Sequence, residues 1–164
     1  MIPRYRLLQQ RIQQELQELD RTQAAVQRHW RSAATTAVDQ DAYLNSVALN
    51  LHSFYSGLER IFELIAGDID GGKLGGGDWH TELLRQMTLD LGKVRPPVLR
   101  ADTAQQLDEL RRFRHLVRNI YSANLVPGRI GPIVESLPAL WVDAKRQLEA
   151  FSSYLEEMSH ADEE

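Results

Sequence analysis

The sequence predicts an all-α protein, an antiparallel up-and-down four-helix bundle with one extra short helix. Three observations carry that expectation. Apolar residues recur at steps of three and four along nearly the whole chain, and no run alternates as a strand does. The helix breakers gather in a few places, chiefly Gly67–Gly77, Pro96–Pro97 and Pro127–Gly128. The length of 164 residues, 43% of them hydrophobic and 26% charged, suits one globular domain. That domain is expected over residues 1–160, with 161–164 as a short acidic tail that frays.

The first helix follows Tyr5, Leu8, Ile12, Leu16, Leu19, Val26 and Trp30, with glutamines and charges forming its solvated face. A break at 32–39 offers Thr35, Thr36 and Asp39 as N-caps for the second helix. That helix carries Leu44, Val47, Ala48, Leu51, Tyr55, Leu58, Phe62 and Ile65 as a continuous core stripe. Leu49, Phe54 and Ile61 lie off the stripe, which is more apolar surface than one bundle face needs and suggests a homodimer. A glycine-rich loop over 68–78 leads to a short helix from about Trp79 to Leu91, stopped by the segment holding Pro96 and Pro97. Helix four is expected from about Thr103, as cap, to Asn124. The last runs from about Gly131 to Met158 through Leu137, Trp141, Ala144, Leu148, Phe151 and Leu155, with Pro138 in its first turns or at a kink.

Composition narrows the chemistry. The chain has no cysteine, which removes disulfides, thiolate nucleophiles and cysteine-bound metals and fits a cytoplasmic location. No apolar run approaches the roughly 18 residues of a membrane span, and the N-terminus lacks the apolar stretch of a secretory signal. A net charge of −4 means that any nucleic-acid site is a local patch.

Several motifs fail on physical grounds. Gly67, four further residues and Gly72-Lys73 imitate a P-loop, but Leu74 stands where a magnesium-binding hydroxyl belongs, and Asp68 and Asp70 repel phosphate. The same two aspartates open a calcium loop that has no third ligand and no closing glutamate. His29, His52, His80, His115 and His160 form no pair at helical ligand spacing, so no metal and no cofactor is expected. His80 beside Trp79 reads as structural. The Gly-x-Ser-x-Gly of a serine-nucleophile elbow is absent.

One segment is unusual. Residues 111–121 read Arg-Arg-Phe-Arg-His-Leu-Val-Arg-Asn-Ile-Tyr, with four arginines and a histidine within eight residues and no acid among them. On a helix, Leu110, Phe113, Val117 and Ile120 make an apolar face, while Arg111, His115, Arg118, Asn119 and Ser122 spread over the polar side. Arg114 and Tyr121, seven apart, are nearly eclipsed at the border, with Arg118 beside them. Arginine there pairs with a carboxylate or faces a cleft, where its fork suits phosphate. Glu59, Glu63 and Asp143 are the candidate carboxylates.

The stretch Phe-Arg-His-Leu-Val-Arg-Asn-Ile-Tyr resembles the signature helix of the HEPN superfamily, in particular the HepT-like proteins. Residues 47–63, the loop into Trp79-His80 and the spacing to helix four are similar to that group as well. The resemblance implies a dimeric all-α ribonuclease toxin that cleaves RNA without metal at a cleft between protomers. It also implies a minimal nucleotidyltransferase antitoxin as partner, which silences the toxin by transferring AMP onto the motif tyrosine. In that motif Arg114 takes the arginine position and Tyr121 the AMPylation position. Asn119 stands where the histidine belongs, and an amide cannot titrate as imidazole does near neutral pH. His115, one turn from Asn119, is either a displaced acid/base or a bystander. Arg111, Arg114 and Arg118 are the expected phosphate contacts. Residues five apart differ by about 140° around a helix, so Arg114 and Asn119 share a site only through distortion or across a two-fold axis. The alternatives are a catalytically weakened HEPN module that binds a nucleotidyltransferase, RNA or nucleotide, and a helical assembly protein whose arginines are paired internally.

Overall fold

A computed structural model describes residues 2–73, 75–117 and 127–161, with the side chains of 114–117 and 127 set aside. The described residues are helical with no strand. The elements are α1 (Pro3–Thr35), α2 (Gln40–Ile65), α3 (Trp79–Gln86), α4 (Ala101–Val117) and α5 (Pro127–His160). None is long and apolar enough to cross a membrane.

α1 starts on Pro3, whose fixed φ and missing N–H suit a first helical position. Its apolar stripe Leu8, Ile12, Leu16, Leu19 and Val26 is buried. α1 packs against both α2 and α5. Early residues of α1 meet late residues of α5: the Ile2 amide donates to the Ser159 carbonyl at 2.9 Å, and Gln13 to Ser152 at 3.0 Å. Farther along, Gln27 reaches Val134, so the two helices run in opposite senses. That last bond has a cause in sequence. Pro138 has no N–H to give the carbonyl four residues back, and Gln27 Nε2 satisfies the orphaned Val134 oxygen at 2.9 Å. α5 continues through Pro138 and through Pro132.

The α1–α2 pair likewise runs in opposite senses, with Arg60 on Glu15 and Ser46 on His29. At Gly57 the helices approach so closely that an added Cβ would meet Leu19 Cδ2 at 2.7 Å. The α1–α2 connection is a tight turn: Asp39 adopts a left-handed φ of 65° and its side chain caps nothing, while Gln40 Nε2 closes the Ala33 carbonyl at 2.8 Å. α2 is buried on more than its predicted stripe. Phe54 and Ile61 are fully inside the chain, Phe54 edge-on to Trp141 at 5.3 Å, and only Leu49 of the three off-stripe residues is exposed. The surplus apolar surface read from α2 is therefore mostly buried within the chain itself.

Several boundaries differ from expectation: α1 runs on to Thr35, inside the expected break at 32–39, and α5 begins at Pro127 rather than at about Gly131. α2 runs on through a π turn at Ala66–Asp70 before the glycine-rich loop. α3 ends at Gln86 because the Arg95 guanidinium takes the Gln86 and Leu89 carbonyls, which a longer helix would spend on residues 90 and 93. α4 starts at Ala101, since the Val98 and Leu99 amides fold back onto the Met87 carbonyl and free the chain to begin the helix at once. Thr103 is thus inside the helix and buried, its hydroxyl accepting from Gln147 Nε2 at 2.7 Å. The expected end of helix four at Asn124 and the acid residues of the tail lie outside the described residues. The core extends from Leu8 to Leu155 and draws on all five helices.

Candidate functional site

α4 carries residues 111–117 of the basic segment. Its inner face buries Ala104, Leu107, Leu110 and Phe113, and its start is clasped to α5 by Gln147, which accepts from the Arg100 amide and donates to Thr103. Toward the other end, Asp108 binds two arginines: Arg111 Nε at 2.7 Å and Arg112 at 3.1 Å. Arg111 is largely covered, with 12% of its side chain exposed, whereas Arg112 is open to solvent. Arg111 therefore meets a carboxylate of its own helix. The acids expected to serve it have other partners: Glu59 binds His80, Glu63 lies 3.9 Å from Lys73, and Asp143 lies 3.8 Å from Arg146. Arg114 and His115 sit in the helical turn that follows Arg111. Arg118, Asn119 and Tyr121, with Val117's face partner Ile120, lie outside the described residues.

α3 and α4 enclose a cleft of about 270 Å³ lined by Thr81, Leu84, Arg85 and Gln105, with Asp108 among its walls. At the N-terminus of α3, His80 Nδ1 bonds the buried Glu59 carboxylate of α2. Trp79 stacks on the His80 ring at 3.6 Å, and Lys73 Nζ lies 3.7 Å from the Trp79 ring centre.

A second ionic centre sits behind the loop. Arg95 is wholly buried and donates to both Asp70 oxygens at 2.6 and 2.7 Å, and to the carbonyls of Leu89, Pro96 and Gln86 at 3.0–3.1 Å. All five guanidinium N–H groups are used. Gln86 Nε2 donates to Asp70 at 2.8 Å and to the Gly72 carbonyl at 3.1 Å. Asp70, one of the two acids that open the imitation calcium loop, is thus a structural counter-ion. Sequence reasoning missed Arg95; a lone arginine before two prolines, with an unassigned aspartate upstream, was the available signal. Among the described residues no cluster of three His, Asp or Glu could hold a metal.

Between α1 and α5, burial pushes the Asp20 carboxyl up, but hydrogen bonds from Lys145 and Trp141, with the Lys145 charge, outweigh it and hold the group below its ordinary value. Lys145 rises in turn, chiefly through its hydrogen bond to Asp20 at 2.8 Å.

A model of the HepT-like protein family matches residues 46–155, which include both the basic segment and the Glu59–His80 pair. No curated protein and no solved structure matches the chain.

Proposed function

The chain belongs to the HepT-like family, and on that premise we propose that it is a metal-independent RNA endonuclease, the toxin of a pair whose nucleotidyltransferase partner silences it. The observation that carries this reading is the family match spanning the arginine-rich segment 111–121, in whose sequence Arg114 and Tyr121 keep the motif's separation of seven. The reading takes the long helices as an antiparallel bundle that pairs into a homodimer, with the RNA cleft between protomers.

In the proposed reaction the 2′-hydroxyl oxygen of RNA attacks the adjacent phosphorus, the bond to the 5′-oxygen breaks, and a 2′,3′-cyclic phosphate forms. Arg114, helped by Arg118, stabilises the charge gathered on the phosphoryl oxygens. Asn119 donates a hydrogen bond and positions the ribose, and His115 lies a turn away. Arg111, held by Asp108 at 2.7 Å, is the further phosphate contact of this reading. AMP on Tyr121 would add negative charge amid these arginines and repel RNA.

A second reading is favoured by Asn119: a HEPN module that binds RNA, nucleotide or the nucleotidyltransferase without cutting. Incubation with total RNA in EDTA, beside Arg114→Ala and Asn119→His, separates the two. Cleavage by wild type that Arg114→Ala abolishes supports the nuclease. Cleavage by Asn119→His alone supports an intact cleft that lost its proton carrier. Intact RNA with all three chains refutes the nuclease and leaves the binding module.

A further inference from the structure

A groove opens between the segment 96–101 and the second half of α5. Its volume of about 480 Å³ is in the range of small-ligand sites. The buried side chains of Val98, Leu99 and Phe151 line it, with the exposed Pro96, Pro97 and Ala150. Tyr154 adds a second ring, 5.7 Å from that of Phe151.

Both walls are fastened by the fold itself. The buried Arg95 holds the Leu89 and Pro96 carbonyls at 3.0 and 3.1 Å. The Val98 and Leu99 amides donate to the Met87 carbonyl, and the Arg100 amide donates to Gln147 Oε1 of α5 at 2.7 Å. Tyr154 donates to the Val94 carbonyl at 3.3 Å, which ties α5 to the same segment. A concavity fixed in this way loses little conformational entropy when a ligand fills it.

The polar groups of the groove narrow the ligand. The Thr88 hydroxyl donates to the Arg85 carbonyl, Gln147 is engaged by Arg100 and Thr103, and Tyr154 is committed to Val94. Among the described residues that line the groove, Arg100 alone is charged, and 63% of its side chain is exposed. Its bonds to Asp102, at 3.2 and 3.3 Å, join two solvated groups, and pairs of that kind contribute little. The guanidinium fork is therefore available to an anion whose apolar part lies in the groove.

We propose that this groove binds a small amphipathic acid, an alkyl or aryl carboxylate. Its chain or ring lies against Val98, Leu99 and Phe151, and its carboxylate pairs with Arg100. One cation beside an otherwise uncharged apolar concavity selects an acid over a neutral or basic molecule. The site lies outside the basic segment and does not depend on the ribonuclease reading.

Isothermal titration of the full chain with octanoate and phenylacetate, beside octanol and phenylethanol, tests this. Wild type should bind one molecule of each acid with a Kd below about 1 mM, reasonable for ligands of this size. Each alcohol should bind about fivefold more weakly, the effect of a partly solvated charge pair. Arg100→Gln should weaken the acids to the level of the alcohols and leave the alcohols unchanged. Ala150→Trp, at an exposed position, should fill the groove and abolish binding of all four. Octanoate should also shift the methyl NMR signals of Val98 and Leu99 and leave those of Val38 and Leu49 in place, which locates the site even if Ala150→Trp fails to fold. Absence of saturable binding at millimolar acid overturns the proposal. So do alcohols that bind as tightly as the acids, shifts that miss Val98 and Leu99, and a folded Ala150→Trp that still binds. If the acids fail to bind and Ala150→Trp splits a dimer in sedimentation, the groove is a contact between copies and the proposal falls.

Discussion

Replacing Arg95 by methionine should be among the most damaging substitutions in the protein. The side chain is wholly buried and makes five hydrogen bonds, two to Asp70 and three to backbone carbonyls. Methionine fills most of the volume, so a cavity is a minor part of the cost. What remains is a buried Asp70 carboxylate, 3% exposed, with Gln86 Nε2 as a neutral donor. Removing one partner of a buried ion pair costs about 3–5 kcal/mol. Total stability for a chain of this kind is about 5–15 kcal/mol. At roughly 2–4 °C per kcal/mol for this size, the melting midpoint should drop by about 6–20 °C. The Arg95→Met/Asp70→Leu double variant removes the stranded charge. It should be more stable than Arg95→Met alone, because apolar replacement of a whole buried pair is often nearly neutral. Thermal and urea melts followed by circular dichroism at 222 nm give both numbers. A midpoint for Arg95→Met within about 2 °C of wild type would refute the reasoning, as would a double variant less stable than the single.

The remaining expectations concern other parts of the frame. Gln27→Ala should cost about 1–2 kcal/mol by stranding the Val134 carbonyl that Pro138 leaves without a donor, and Gln27→Glu should fare no better; urea midpoints measure both. Phe54→Ala should cost about 3–5 kcal/mol by opening a cavity against Trp141, again read by urea melts. Asp20→Asn should cost only about 0.5–1 kcal/mol at neutral pH, because the Asp20–Lys145 pair is partly solvated. Its pH dependence has a fixed sign. A carboxyl held below its ordinary value stabilises the fold fully above the unfolded value of about 3.9 and loses that contribution as pH falls through the folded value. Wild type and Asp20→Asn should therefore converge in stability as pH falls below the unfolded carboxyl value, in melts repeated across the acid range.

The helical frame was legible where one face of a helix does the packing. The stripe of α1 and that of α5 from Leu137 onward emerge from their three- and four-residue steps, while Ile130, Val134 and Leu140 of α5 join the core beyond that stripe. α2 departs from that pattern: it is enclosed on several sides, so Phe54 and Ile61 looked surplus on a single-face reading and are core. The end of α3 and the start of α4 were misplaced because they are set by Arg95 and Met87 contacts between separate segments, which local periodicity does not record. The basic segment was legible as a composition anomaly, yet the pairing of Arg111 was sought on distant helices. Its acid is Asp108, three residues upstream, just before the acid-free window begins. The pairing of Glu59 with His80 escaped notice for a different reason. They lie 21 residues apart across a glycine-rich loop, and only the fold brings them together.

The most direct test of the ribonuclease account is end-group analysis of RNA incubated with the purified chain in EDTA. The account predicts fragments ending in a 2′,3′-cyclic phosphate and beginning with a 5′-hydroxyl, and their loss with Arg114→Ala. Intact RNA, or fragments with 3′-hydroxyl and 5′-phosphate ends that appear only when magnesium is added, would contradict it.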